Sequence, residues 1–231
     1  MSQTWQEIWN RKLANGPLDL ASLVKLDGFD TGAGRIAVED WQAYCTIIGR
    51  KLGLHDGASV FEVGCGAGAF LYGLRQTGAL EVGGIDYAGN LIGASREAMP
   101  DGKFQVGDAR DVSIEPQYDY VLSNSLFQYL AGDSGSVVMN RMIDKARIAV
   151  AILEVPDASH KIAAETLRRR ALSPGEYELK YKGLEHSYYA REWFVERAHA
   201  RGLAVELFDG CVPHYAQNEF RFGAIIRKAA A

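Results

Sequence analysis

The sequence predicts an α/β fold, a largely parallel sheet with helices on both faces, and three observations carry that expectation. From residue 58 onward, short apolar runs alternate with helix-length segments. The first apolar run leads directly into a glycine-rich turn. Acidic residues then recur near the ends of the first three runs, as Glu62, Asp86 and Asp108.

The elements follow in order. Residues 1–57 read as helical, with Trp5 and Trp9 one turn apart on one face, and are expected to form an N-terminal lid. Strands are expected at Ser59–Val63, Glu81–Ile85, Lys103–Val106, Asp119–Ser123 and Arg147–Leu153. Between them lie helices at Ala69–Gln76, Asn90–Ala98 and Ser136–Lys145; the first stops at Thr77-Gly78 and the second at Pro100-Asp101-Gly102. Arg191–Arg201 reads as an amphipathic helix stopped by Gly202. Two final strands, Ala204–Asp209 and Phe220–Arg227, are joined by a loop with Pro213 and Asn218 that suits an antiparallel pair. Residues 156–188 interrupt the alternation and are expected to cap a substrate pocket, since ligands bind beyond the C-terminal ends of parallel strands. The alanines at 229–231 read as a frayed end of what is otherwise one domain, 1–231.

Composition narrows the function classes. Hydrophobic residues make up 48% and charged residues 23%, as in ordinary globular proteins. A net charge of −4 gives no basic footprint for nucleic acid. The longest apolar run, Ile148–Leu153, is far short of the roughly 20 residues that cross a bilayer. No secretory signal is visible at the N-terminus, and three scattered cysteines (Cys45, Cys65, Cys211) suit a reducing cytoplasm. No His/Asp cluster has metal-ligand spacing.

The most informative stretch is Val60-Phe61-Glu62-Val63-Gly64-Cys65-Gly66-Ala67-Gly68-Ala69-Phe70. Alone it also satisfies a relaxed dinucleotide-binding pattern, or a tight turn with no ligand. The acidic residues decide between readings. Asp86, closing the second strand, can accept both hydroxyls of a ribose, and Asp108 is placed to accept from an adenine amine. Glu62 would repel a pyrophosphate but attract a cationic amino-acid group. The pattern asks for an adenosine with a cationic tail.

On these residues, with Tyr87, Gly107-Asp108-Ala109 and Tyr118–Asn124, the chain resembles the class I S-adenosylmethionine-dependent methyltransferases over about residues 58–155. The resemblance implies a Rossmann-like seven-stranded sheet of order 3-2-1-4-5-7-6, strand 7 antiparallel. It implies that Gly64, Gly66 and Gly68 pass the methionine portion of S-adenosylmethionine and that Asp86 holds the ribose. Asp108 and Ala109 would border the adenine, and Ser123 and Asn124 would lie near the methyl end.

Where many small-molecule members of that family place a histidine beyond the fourth strand, this chain has Gln128, which is no general base. His186, closing the 156–188 segment, is the expected base, with Tyr188 and Tyr189 orienting substrate. Lys12 could pair with the cofactor carboxylate or stay solvated. Arg168-Arg169-Arg170, near Glu165, Glu176 and Glu178, could grip an anion but reads better as a solvated face.

The leading expectation is methyl transfer to oxygen or nitrogen of a small metabolite. The Asn/Asp-Pro-Pro-aromatic run of planar-amine methylation is absent after strand four, which argues against nucleobase substrates. The alternatives are a nicotinamide-dependent oxidoreductase and a non-catalytic cofactor sensor or partner subunit.

Overall fold

The structure, a computed structural model, describes residues 4–13, 16–30, 32–170, 173, 175, 177 and 184–228. The alanines at 229–231, Glu176, Glu178 and the stretch 178–183 of the expected cap lie outside the described residues.

Seven strands form one sheet: β1 (Ser59–Val63), β2 (Glu81–Asp86), β3 (Lys103–Val106), β4 (Tyr118–Asn124), β5 (Ala146–Pro156), β6 (Ala204–Asp209) and β7 (Arg221–Arg227). Their order is β3-β2-β1-β4-β5-β7-β6, as the sequence predicts. β1 to β5 run parallel, while β7 is antiparallel to both β5 and β6. β1 is buried along its whole length, the property of a central parallel strand covered on both faces.

The described helices are α1 (Trp5–Asn10), α2 (Leu20–Leu26), α3 (Val38–Leu52), α4 (Ala69–Arg75), α5 (Gly89–Ala98), α6 (Ser134–Lys145), α7 (Lys161–Arg170) and α8 (Arg191–His199). On one face of the sheet, α2 to α5 supply a core that includes Leu23, Trp41, Ile48, Leu71 and Leu91. On the other, α6 and α8 supply Met142, Ile143 and Phe194 against Val121, Ile152 and Phe222. Gly53 ends α3 in the left-handed conformation that suits a helix stop.

The N-terminal segment is not uniform. α2, capped by Asp19 accepting from the Ser22 amide at 2.9 Å, and α3 belong to the core. Trp41 on α3 donates its indole N–H to the Ala69 carbonyl at 3.2 Å, locking α3 onto the glycine turn. α1 buries no residue. It is held at its start by a reciprocal Thr4–Glu7 capping box and lies over the end of the sheet.

The 156–188 segment is closed at its base. Asp157 and Tyr189 form a bridge, with the Tyr189 amide donating to the Pro156 carbonyl and the Ala158 amide to the Tyr189 carbonyl, each at 2.9 Å. The Ser187 amide donates to the Gln128 carbonyl at 2.8 Å, so the returning chain lies beside the short turn after β4.

Candidate active site

The strand order reverses between β1 and β4, and the crevice beyond their C-terminal ends is where open α/β sheets bind ligands. A cavity of about 510 Å³ is found there, inside the range of small-molecule sites. α1, the glycine turn, the tips of β2 and β4, α7, the returning chain at His186 and the start of β7 all contribute to its wall.

The glycine turn shapes one end. Gly66 has φ +53°, and a Cβ there would lie 2.2 Å from Asp27 Oδ1, so only glycine lets that carboxylate approach the backbone. Asp27, the C-terminal cap of α2, accepts from the Ala67 amide at 2.6 Å and the Ala69 amide at 3.1 Å. Gly68 serves packing instead: a Cβ there would meet Met99 Cε at 2.7 Å and Ser95 Cβ at 3.2 Å. Gly64 and Gly66 line the cavity; Gly68 does not.

Three carboxyl groups face this end. Asp86 accepts from the Gly66 amide at 3.0 Å and the Ala88 amide at 2.8 Å, which ties the turn to the tip of β2. Glu62 is buried, and its Oε2 has no hydrogen-bond partner among the described residues. Desolvation, with Asp27 and Asp86 close by, pushes the Glu62 carboxyl well up. Burial pushes Asp27 up to about 7 against the lowering effect of its two amide donors, and desolvation also raises Asp86. Such a cluster is stabilised by a cation.

Other expected cofactor residues are distributed unevenly. Tyr87 and Asn124 line the cavity, and the Tyr44 hydroxyl donates to Asn124 Oδ1 at 3.0 Å. Ser123 is enclosed behind it, its Oγ unpartnered among the described residues. Asp108 and Ala109 do not line the cavity. Asp108 accepts from the Arg110 amide at 2.8 Å and pairs with the Arg110 guanidinium at 2.6 Å, which holds its carboxyl below the usual range. The Gly107 amide, donating to the Asp86 carbonyl at 2.9 Å, still keeps this turn beside β2.

The opposite end is aromatic and basic. Trp5 stacks on His186 with ring centroids 5.1 Å apart, and Tyr129 meets both rings edge-on, at 4.9 Å and 5.6 Å. Lys12 lies instead toward the acidic end, where its charge acts on Asp27; it sits 4.7 Å over the Trp9 ring and donates to the Lys25 carbonyl at 3.4 Å, and burial lowers its pKa against the raising effect of Asp27 and Asp30. Arg168 donates to His186 Nδ1 at 2.9 Å and to the Tyr188 hydroxyl. Arg169 and Arg170 are exposed.

This arrangement sets the protonation of His186. Burial and the nearby Arg168 and Arg221 charges push its pKa down to about 2, so the ring is neutral. A guanidinium has no lone pair to offer, so Nδ1 accepts and the ring proton sits on Nε2. Acting as a base at Nδ1 would require Arg168 to swing away. Tyr188 and Tyr189 do not line the cavity. Tyr189 is buried among Phe127, Trp193 and Phe194, its hydroxyl donating to the Leu130 carbonyl at 2.8 Å.

Among the cavity residues that no sequence motif singles out are Asp27, Ser125 and Arg221. Asp27 follows α2 as its C-terminal cap and reaches the glycine turn only through the fold. Ser125 adopts a left-handed φ of +56°, a strained non-glycine turn right after β4. Arg221 is buried and donates to the Glu154 carbonyl at 2.8 Å and to Gln128 Oε1 at 3.0 Å, with Glu154 Oε2 3.8 Å away. No local pattern marks it; the reversal of β7 carries its first residue to the edge where the parallel strands end.

Comparison with known proteins agrees with this geometry. Residues 60–147 match the family model of a methyltransferase domain. A search of curated protein sequences finds no match. Among solved structures, the magnesium protoporphyrin IX methyltransferase of Synechocystis PCC 6803 with bound SAH is similar at TM-score 0.60 and 15% identity, covering 96% of this chain and 92% of the other. DesVI of Streptomyces venezuelae is similar at TM-score 0.62 and 16% identity, covering 93% and 100%. The plantazolicin methyltransferase BpumL, in complex with SAH, is similar at TM-score 0.62 and 13% identity, covering 83% of each chain.

Proposed function

We propose that this chain, which is a class I S-adenosylmethionine-dependent methyltransferase, transfers the methyl group to an oxygen or nitrogen of a small molecule in the cytoplasm. The observation that carries the reading is the pair of unlike ends in one cavity of about 510 Å³. The acidic end fits the cofactor: the unpartnered Glu62 Oε2 and the Asp27 carboxylate suit its ammonium, and Asp86 suits its ribose hydroxyls. A pyrophosphate would meet Asp27 already on the Ala67 and Ala69 amides, which disfavours a nicotinamide cofactor.

The cofactor supplies an activated methyl on a sulfonium, so the protein's part is positioning, worth on the order of 7–11 kcal/mol when alignment is good. Asn124, Ser125 and Gln128 line the wall past β4 and would border the acceptor. In this proposal α1 is a lid: Trp5, Ile8 and Trp9 line the cavity while the helix buries no residue. The 156–188 segment is the cap, presenting Arg168 and His186 to the acceptor. His186 serves as a hydrogen-bond donor through Nε2, and Tyr188 and Tyr189 act indirectly, one by holding Arg168 and the other by packing the base of the cap. No described helix is long and apolar enough to cross a membrane.

The test is cofactor binding by calorimetry followed by transfer of labelled methyl to a panel of hydroxyl and amine metabolites. Because Asp27 sits near 7, a bound ammonium lowers that value and expels a proton. Affinity is therefore expected to rise as pH is raised from about 6 to 8, with proton release visible in buffers of different ionisation enthalpy. Asp27→Asn is expected to flatten that slope. Tight cofactor binding with no transfer to any metabolite would instead point to a sensor.

A further inference from the structure

The basic end of the cavity holds donors in excess of acceptors. Among the described residues, both hydrogen-bond partners of Arg168 are neutral, His186 Nδ1 and the Tyr188 hydroxyl. Arg221 faces Glu154 at 3.8 Å, and its remaining acceptors are the Gln128 and Gln217 side chains and a backbone carbonyl. The buried Nε2 of His186 has no partner among the described residues, and with Arg168 donating into Nδ1 it carries a proton. Among the described residues, a guanidinium with no carboxylate in hydrogen-bond contact and an unpartnered N–H stand beside each other, walled by Trp5 and Tyr129.

We infer that the methyl acceptor carries a carboxylate, received by Arg168 and the Nε2–H of His186, with a flat or apolar body against Trp5 and Tyr129. The inference rests on the small-molecule reading above and names its substrate class. A carboxylate matches the guanidinium fork in shape and in charge. With Arg221 already facing Glu154, a dianionic phosphate would leave one negative charge unmatched in the site, and a cationic acceptor would be repelled by the Arg168 guanidinium. Tyr188, fixing the second Arg168 nitrogen, preorganises the fork. The charges also order the ligands: the cationic end of the cofactor is held by the carboxyl cluster, and the acceptor anion is drawn to the far wall.

The experiment loads the full chain with S-adenosylhomocysteine and titrates benzoate, 4-hydroxybenzoate and indole-3-acetate, each against its primary amide, following tryptophan fluorescence and heat. At least one acid is expected to bind about tenfold or more tighter than its amide. Arg168→Gln is expected to erase that preference, and Arg168→Lys to keep part of it. Equal binding of acid and amide, no acid binding, preference for 4-hydroxyphenyl phosphate over 4-hydroxybenzoate, or an unaltered preference in Arg168→Gln each overturns the inference. S-adenosylhomocysteine affinity, measured on the same samples, reports separately on the methyltransferase reading, whose failure shows as loss of that binding alone.

Discussion

Replacing Asp86 with Ala is expected to weaken S-adenosylmethionine retention at least about a hundredfold, close to 3 kcal/mol. Two losses combine. The ribose loses its charged acceptor, and hydrogen bonds to charged groups contribute about 1.5–3 kcal/mol each. The Gly66 and Ala88 amides, held at 3.0 and 2.8 Å, also lose their shared partner, so the glycine turn is released at the same time. Asp108→Ala provides the contrast, because its carboxylate is already committed to Arg110 at 2.6 Å on a partly exposed surface. Equilibrium dialysis of both variants checks the expectation. Equal retention by Asp86→Ala and the parent protein would remove Asp86 from the cofactor site.

Arg221→Met is expected to cost about 3–5 kcal/mol of stability, the usual result of stranding one member of a buried pair. The guanidinium joins the Glu154 carbonyl, Gln128 and Gln217, so its loss also strands acceptors at the end of the sheet. In a chain of this size the melting temperature should fall by roughly 10 °C. Adding Glu154→Gln should recover part of the loss, since the partner charge is then gone as well. Burial holds the Glu154 carboxyl up at about 7, above its ordinary value of 4.5. The unfolded chain therefore gives up this proton first, and the parent protein loses stability as pH rises between those values. Glu154→Gln should lessen that slope. Thermal melts across this range read both effects, and a double variant as unstable as Arg221→Met would refute the coupling.

The local elements were legible because they obey short-range rules. β1, β3 and β6 fall on the residues expected from apolar runs, and α4 and α5 stop within a residue of the predicted ends. β4 and β5 run longer than expected. Each gains a residue at its start, and at their ends they add Asn124, which lines the cavity, and Glu154 to Pro156, where Glu154 faces Arg221. Glu62 was legible from its place two residues before Gly64, where a carboxylate opposes a pyrophosphate and suits a cationic group. Asp27 and Arg221 were not legible. Each is an ordinary charged residue at the end of an element, and its meaning comes from what the chain folds against it.

The sequence by itself determined the alternation of strands and helices, the turn at Gly64–Gly68 and the acids at the tips of β1 and β2, because periodicity, glycine conformation and buried charge are properties of neighbours along the chain. Tertiary structure alone decided that α2 delivers Asp27 to that turn, that antiparallel β7 brings Arg221 to the opposite, basic end of the cavity, and that Arg168 claims Nδ1 of His186. These contacts join residues far apart in sequence, where electrostatics depends on distance and desolvation and has no period to read.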